Sequence, residues 1–183
     1  MKKKNALRTI VLTGMMTAVL AVLSIIVIPM PTGVPVTLQT FAVAICGYIL
    51  GWKMGAVSAF LYMLLGAIGV PIFAGMTGGF GILIGPTGGF IFGFIFMAGL
   101  CGLGVKKGFP GKSFVFGALG LIVCHLLGVA QFALVTGTGL WKAFLLASAP
   151  YLIKDAVSVA VAAVVAVGVR RALSAASLMH YAS

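Results

Sequence analysis

A single carboxylate stands in this chain. Asp155 follows Lys154 in the segment Pro150-Tyr-Leu-Ile-Lys-Asp155, and there is no glutamate. The apolar run from 151 to 169 places both groups near the head of a membrane-length helix. Lys154 is only a few residues in, about 6 Å at 1.5 Å per residue. Ionisable groups in such a helix are costly and face a bundle interior or a wet cavity. In the plain structural reading, Lys154 snorkels to the interface and Asp155 caps nearby backbone. Adjacent helix positions do not face each other, so a simple internal ion pair is a poor explanation. A lysine and an aspartate pointing apart suit a small ligand with an anionic end and an N–H-rich end.

Two further segments carry polar groups that chemistry could use. The first runs Pro29-Met-Pro-Thr-Gly-Val-Pro-Val-Thr-Leu-Gln-Thr40, with three prolines in seven residues. Proline fixes φ and removes a donor, so this stretch is stiff and extended. It delivers Thr37, Gln39 and Thr40 to the head of an apolar run, where Thr37 also suits a helix cap and Gln39 an interface position. The second runs from Gly75 to Gly89, and seven of its fifteen residues are glycine. Non-helical backbone at membrane depth must be buried in protein or line a cavity, and glycine lets backbone approach a ligand. A folded-in cap follows, with Phe73 and Phe80 as apolar walls. Gly81, Gly85, Gly89 and Gly93 also recur every four residues, the small-residue spacing of close helix packing. Convergence of the three segments would make a small-molecule pocket with aromatic and glycine-rich walls.

Other chemistry is excluded or set aside. Carboxylate-pair hydrolysis needs two acids. Gly111-Lys112-Ser113 resembles the end of a phosphate loop, but Lys106 occupies the position where the motif needs its first glycine. Cys46, Cys101 and Cys124 lack metal-ligand spacing and read as buried small hydrophobes. No metal or cofactor is expected. His125 is a lone histidine with Gln131 nearly two turns on; without a nucleophile–base–acid set it reads as an interior hydrogen-bonded residue. His180 falls in the tail.

The elements that position these groups follow from composition. Of 183 residues, 62% are hydrophobic and 7% charged, mean hydropathy is +1.28, and net charge is +11. A soluble domain carries roughly 25% charged residues, so lipid is the solvent here. The aromatics lie in apolar runs away from the basic residues, which argues against nucleic acid. The run from Thr9 to Ile28 exceeds a signal-peptide core and ends in prolines. Apolar runs place six spans at 9–29, 38–52, 54–70, 86–105, 114–136 and 151–169, with a tight hairpin at Gly51–Gly55. The expectation is an all-α integral membrane bundle, one transmembrane substrate-binding domain over 1–183. Lys2, Lys3, Lys4, Arg8, Lys53, Lys106, Lys107, Lys112, Arg170 and Arg171 then share one face, and Lys142 alone marks the other. Cytoplasmic segments hold the basic excess, which puts both termini in the cytoplasm. Trp52 and Trp141 read as interface anchors.

The first span carries Gly14 and Ala18 four apart, with Thr17 and Ala21 on the adjoining row. Such spacing permits close helix approach, either within the bundle or toward a partner membrane protein. Nothing in the chain harnesses ATP.

Val34-Pro-Val-Thr-Leu-Gln-Thr-Phe41, Gly66-Ala-Ile-Gly-Val-Pro-Ile-Phe-Ala-Gly75, the Gly78–Gly89 run and Pro150–Asp155 together resemble the BioY family. These are the biotin-binding S components of energy-coupling-factor (ECF) transporters. The resemblance spans nearly the whole chain. It implies a six-helix subunit that captures biotin near the outer face of a prokaryotic cell membrane. A transmembrane coupling subunit and two ATPase subunits would energise uptake. It points to Gln39, Phe73, Gly78, Gly79, Phe80, Gly85, Thr87, Gly88, Tyr151, Lys154 and Asp155 around the ligand. Asp155 is assigned to the ureido N–H groups, Gln39 to a polar edge and Lys154 to the valerate carboxylate. The family's alanine-based docking motif falls on Gly14, Ala18 and Ala21, with glycine at its first position here. Capture of another vitamin and a stand-alone facilitator are the competing readings, and a membrane enzyme is disfavoured.

Overall fold

The computed structural model describes residues 2–31, 34–105, 110–176 and 178. Thr32, Gly33, Lys106, Lys107 and His180 from the reading above lie outside the described residues. The described chain forms α1 (Lys2–Ile25), α2 (Gln39–Leu50), α3 (Trp52–Ala67), α4 (Phe80–Ile84), α5 (Gly88–Gly104), α6 (Pro110–Thr136), α7 (Leu140–Ala147) and α8 (Leu152–Ala175). Between α1 and α2, β1 (Val27–Ile28) pairs antiparallel with β2 (Val36–Thr37), Val27 opposite Thr37.

The six longer helices fall on the six apolar runs. Among the described residues, three segments are long and apolar enough to cross a membrane: Leu7–Ile25, Gly111–Thr136 and Leu152–Ala175. Their outward faces carry large apolar side chains such as Ile10, Leu134 and Ile153, the last two more than four-fifths exposed. That pattern suits lipid and would be unstable in water.

The other three long helices are shorter and apolar. The 12 residues of α2 span about 18 Å, against a hydrocarbon core of about 30 Å. Eleven of the 12 are buried, because α1, α3, α5 and α8 all pack around them. This inner helix is solvated by protein, so its length need not match the bilayer. It breaks at Gly51, whose φ of 80° is readily adopted only by glycine, and α3 starts at the next residue.

The four-residue glycine spacing divides between two jobs. A Cβ on Gly93 would meet the Cys124 Cα of α6 at 2.7 Å, and Gly89 similarly abuts the α6 backbone at Leu127. Gly81 has open space beside it and Gly85 meets only its own preceding turn. The pattern therefore packs α5 on α6 and does not extend through α4.

One end of the bundle is tied by polar contacts near the basic residues. The Tyr48 hydroxyl at the end of α2 donates to the Ser113 carbonyl of α6 (2.9 Å), and Arg170 of α8 donates to the Tyr48 carbonyl (3.2 Å). The start of α2, the end of α7 and the start of α8 gather at the opposite end.

Candidate functional site

At that opposite end lies a cavity of about 190 Å³. Its polar wall begins with the proline-rich segment, which folds into the short β hairpin rather than remaining simply extended. Thr37 Oγ1 accepts the Gln39 backbone N–H (3.2 Å) and donates to Gln39 Oε1 (3.0 Å). The Gln39 amide donates in turn to the Tyr62 hydroxyl on α3 (2.8 Å). Gln39 is thus buried and fixed at the cavity edge.

The head of α8 supplies the charged wall. The Tyr151 hydroxyl donates to the Val34 carbonyl, and Lys154 Nζ donates to the Thr37 carbonyl (2.8 Å). Both bonds hold the segment 34–37 over the cavity. Lys154 also forms an ion pair with Asp155 Oδ1, which corrects the expectation that the two point apart. The adjacency rule describes where Cβ atoms point; the long lysine stem curls past that constraint. Asp155 is 5% exposed and lies in the first turn of α8, where the helix dipole favours an anion.

A residue that sequence reasoning set aside completes this wall. His125 of α6 places Nε2 3.3 Å from Asp155 Oδ2 and Nδ1 2.7 Å from the Ser148 hydroxyl. It is an interior, hydrogen-bonded histidine as expected, and it also lines the cavity. The available signal was weak: a polar ring in an apolar run must find a partner.

The apolar wall comes from Phe73, Ile82, Phe90, Ile91, Phe94 and Leu121. Phe73 is held edge-on to Tyr62, centroids 5.4 Å apart, and its ring fills the space that a side chain at Gly66 would take. Its backbone N–H bonds to the Thr77 carbonyl (2.9 Å), closing a tight turn that brings Ala74 and Thr77 to the cavity.

The structure thus gathers Gln39, Phe73, Thr87, Tyr151, Lys154 and Asp155 around one space. It does not bring Gly78, Gly79, Phe80, Gly85 or Gly88 to the cavity lining. Phe80 is 64% exposed because α4 turns that side outward. Gly79 supplies a φ of 106° at the entry to α4, and Gly78 packs on the Val70 backbone. Gly88 is buried against Leu83 and Gln131. Gln131 anchors this corner by donating to the Leu83 (2.7 Å) and Gly85 (2.8 Å) carbonyls. The glycines shape the cap, and the neighbouring side chains form its inner surface.

On α1, Gly14 and Ala18 are exposed, and a Cβ on Gly14 would meet nothing within 4 Å. Thr17 on the adjoining row is buried and shares a hydrogen bond with Ser58 (3.0 Å), while Ala21 is half-buried. Among the described residues no group of three His, Cys, Asp or Glu could hold a metal.

Lipid-facing apolar helices around a partly polar internal cavity define a membrane protein with room for a small organic molecule. Comparison with known proteins gives the family. The BioY family model matches residues 1–175. A biotin transporter BioY of Thermotoga maritima is 36% identical over 169 residues, 90% of this chain and 97% of that protein. A probable biotin transporter BioY of Pyrococcus horikoshii is 39% identical over 133 residues, 73% and 78% of the two chains. The fold matches the 2.1 Å crystal structure of the S-component for biotin from an ECF-type ABC transporter. The TM-score is 0.85, with 93% of this chain and 95% of that one covered, at 23% identity. The chain belongs to the BioY family.

Proposed function

We propose that this protein is a membrane S component that captures biotin from outside a prokaryotic cell. Import would then be driven by an ECF transmembrane coupling subunit and two ATPase subunits. The observation that carries the reading is the pairing of Asp155 and Lys154 on one wall of an otherwise largely apolar cavity. Biotin has complementary parts: an N–H-bearing ureido ring, an apolar thioether ring and chain, and a terminal carboxylate. On binding, Lys154 exchanges its ion pair with Asp155 for the carboxylate at the far end of the ligand, Asp155 receives a ureido N–H, and Phe73 and Phe90 enclose the apolar rings. Gln39, Thr87 and Tyr151 contribute at the edges. Most of the glycines named from sequence act indirectly, through the shape of the cap.

The six longer helices serve as six spans of one domain, with α2, α3 and α5 sheltered by their neighbours. Tyr48, Ser113 and Arg170 meet at the same end as Lys53, Lys112 and Arg171, which supports assigning that end to the cytoplasm. The cavity then opens outward, nearer Lys142. The exposed Gly14 and Ala18, with the half-buried Ala21 beside them, form the docking face for the coupling subunit. ATP hydrolysis belongs to the partner subunits, and no chemistry is performed on the ligand.

A competition panel tests the substrate: labelled biotin bound to detergent-purified protein should be displaced by unlabelled biotin and not by riboflavin or thiamine. Displacement by either of those would overturn the assignment. Biotin uptake into vesicles containing this chain without ATPase partners would favour a facilitator.

A further inference from the structure

We infer that His125 is a positioning residue of the biotin site, acting through the carboxylate of Asp155. The inference rests on the biotin reading above and adds to it a residue that neither the motifs nor the charge pattern assigns. Three contacts fix the imidazole. Ser148, fully buried at the end of α7, meets Nδ1 at 2.7 Å. Asp155 Oδ2 lies 3.3 Å from Nε2. The Phe90 ring stands edge-on, with centroids 5.7 Å apart and planes at 89°.

With the Ser148 hydroxyl donating to Nδ1, the proton on Nε2 points at Asp155. Oδ2 is then occupied by His125, while Oδ1 carries the ion pair with Lys154. His125 keeps the carboxylate oriented through Oδ2, so that Oδ1 becomes the acceptor for a ligand N–H once Lys154 turns from it to the ligand carboxylate. Because His125 sits on α6, Ser148 at the C-cap of α7 and Asp155 on α8, the network also locks three elements in the geometry that ligand recognition needs. Preorganisation of this kind raises affinity by removing ordering costs on binding.

The test is a double-substitution cycle read by isothermal titration with biotin in detergent. His125→Leu should weaken binding about tenfold, the size of one hydrogen bond to a charged group. His125→Gln, which can keep a donor near the Nε2 position, should recover most of that loss. In the Asp155→Asn background, His125→Leu should cost no more than about twofold further, since coupled residues are non-additive. Equal losses in both backgrounds, or unchanged affinity in both His125 variants, would overturn the positioning role and leave the biotin reading intact. Failure of the unsubstituted, folded protein to bind biotin would overturn both.

Discussion

Asp155→Asn is the most informative single change, because it alters charge while nearly preserving volume. Asp155 is 5% exposed and answers two donors, His125 at Oδ2 and Lys154 at Oδ1. Asparagine keeps one acceptor and presents an amide N–H₂ to one of these neighbours, so a donor then faces a donor. A hydrogen bond to a charged group contributes about 1.5–3 kcal/mol, and losing it at the ureido ring lowers affinity about ten- to a hundredfold. An opposing effect must be weighed. Without its anionic neighbour, Lys154 attracts the valerate carboxylate more strongly, which offsets part of the loss for biotin. Biotin amide lacks that carboxylate and should show the larger fold-change. The assay is isothermal titration of both ligands on monodisperse protein, with melting temperature recorded in parallel. Lys154 keeps its bond to the Thr37 carbonyl, so the variant should remain folded. Affinities within threefold of the unsubstituted protein for both ligands would refute the reasoning.

Other substitutions separate the roles assigned above. Lys154→Met removes the charge-assisted partner of the carboxylate together with the ties to Asp155 and the Thr37 carbonyl, so both ligands should weaken but biotin about tenfold more than biotin amide; equal losses for both ligands would remove the carboxylate role. Gly93→Val pushes a side chain into the Cys124 backbone, and overpacking costs of about 1–3 kcal/mol should lower the ligand-free melting temperature. An unchanged melting curve would contradict the close α5–α6 packing. Gly14→Leu enters open space, so melting temperature and biotin affinity should be unaltered while co-purification with the coupling and ATPase subunits falls. Intact co-purification would count against the α1 docking face.

Much of this architecture was legible because lipid imposes a simple code. Long apolar runs became the longer helices, and the cluster of basic residues agrees with the end where Tyr48, Ser113 and Arg170 meet. The small elements escaped notice for physical reasons. α4 and α7 have five and eight residues, too short for a 3.6-residue period to stand out in an apolar background. The hairpin pairs only two residues from each strand, and the connection between them carries Pro29, Pro31 and Pro35.

At the site, residue type was a better guide than local spacing. The solitary acid, its lysine and Gln39 all reach the cavity, because a polar group in an apolar run needs a polar destination. Spacing misled where side-chain reach mattered, as in the Lys154–Asp155 pair. The glycine run misled in a different way. Its conformational freedom is spent on turns and close packing, and Phe73, Thr77 and Ile82 form the inner surface instead. The partnership of His125 with Asp155 joins α6 to α8 across 30 residues of chain, a contact that no local pattern announces.

The central claim is that this chain by itself holds biotin in the cavity at the head of α8. Quantifying biotin released on denaturing the purified protein, after expression with biotin and extensive washing, tests it directly. The account predicts about one biotin per chain retained through purification, as expected for a nanomolar site with slow release. Well-folded protein that retains none, and binds none when biotin is added back, would contradict it.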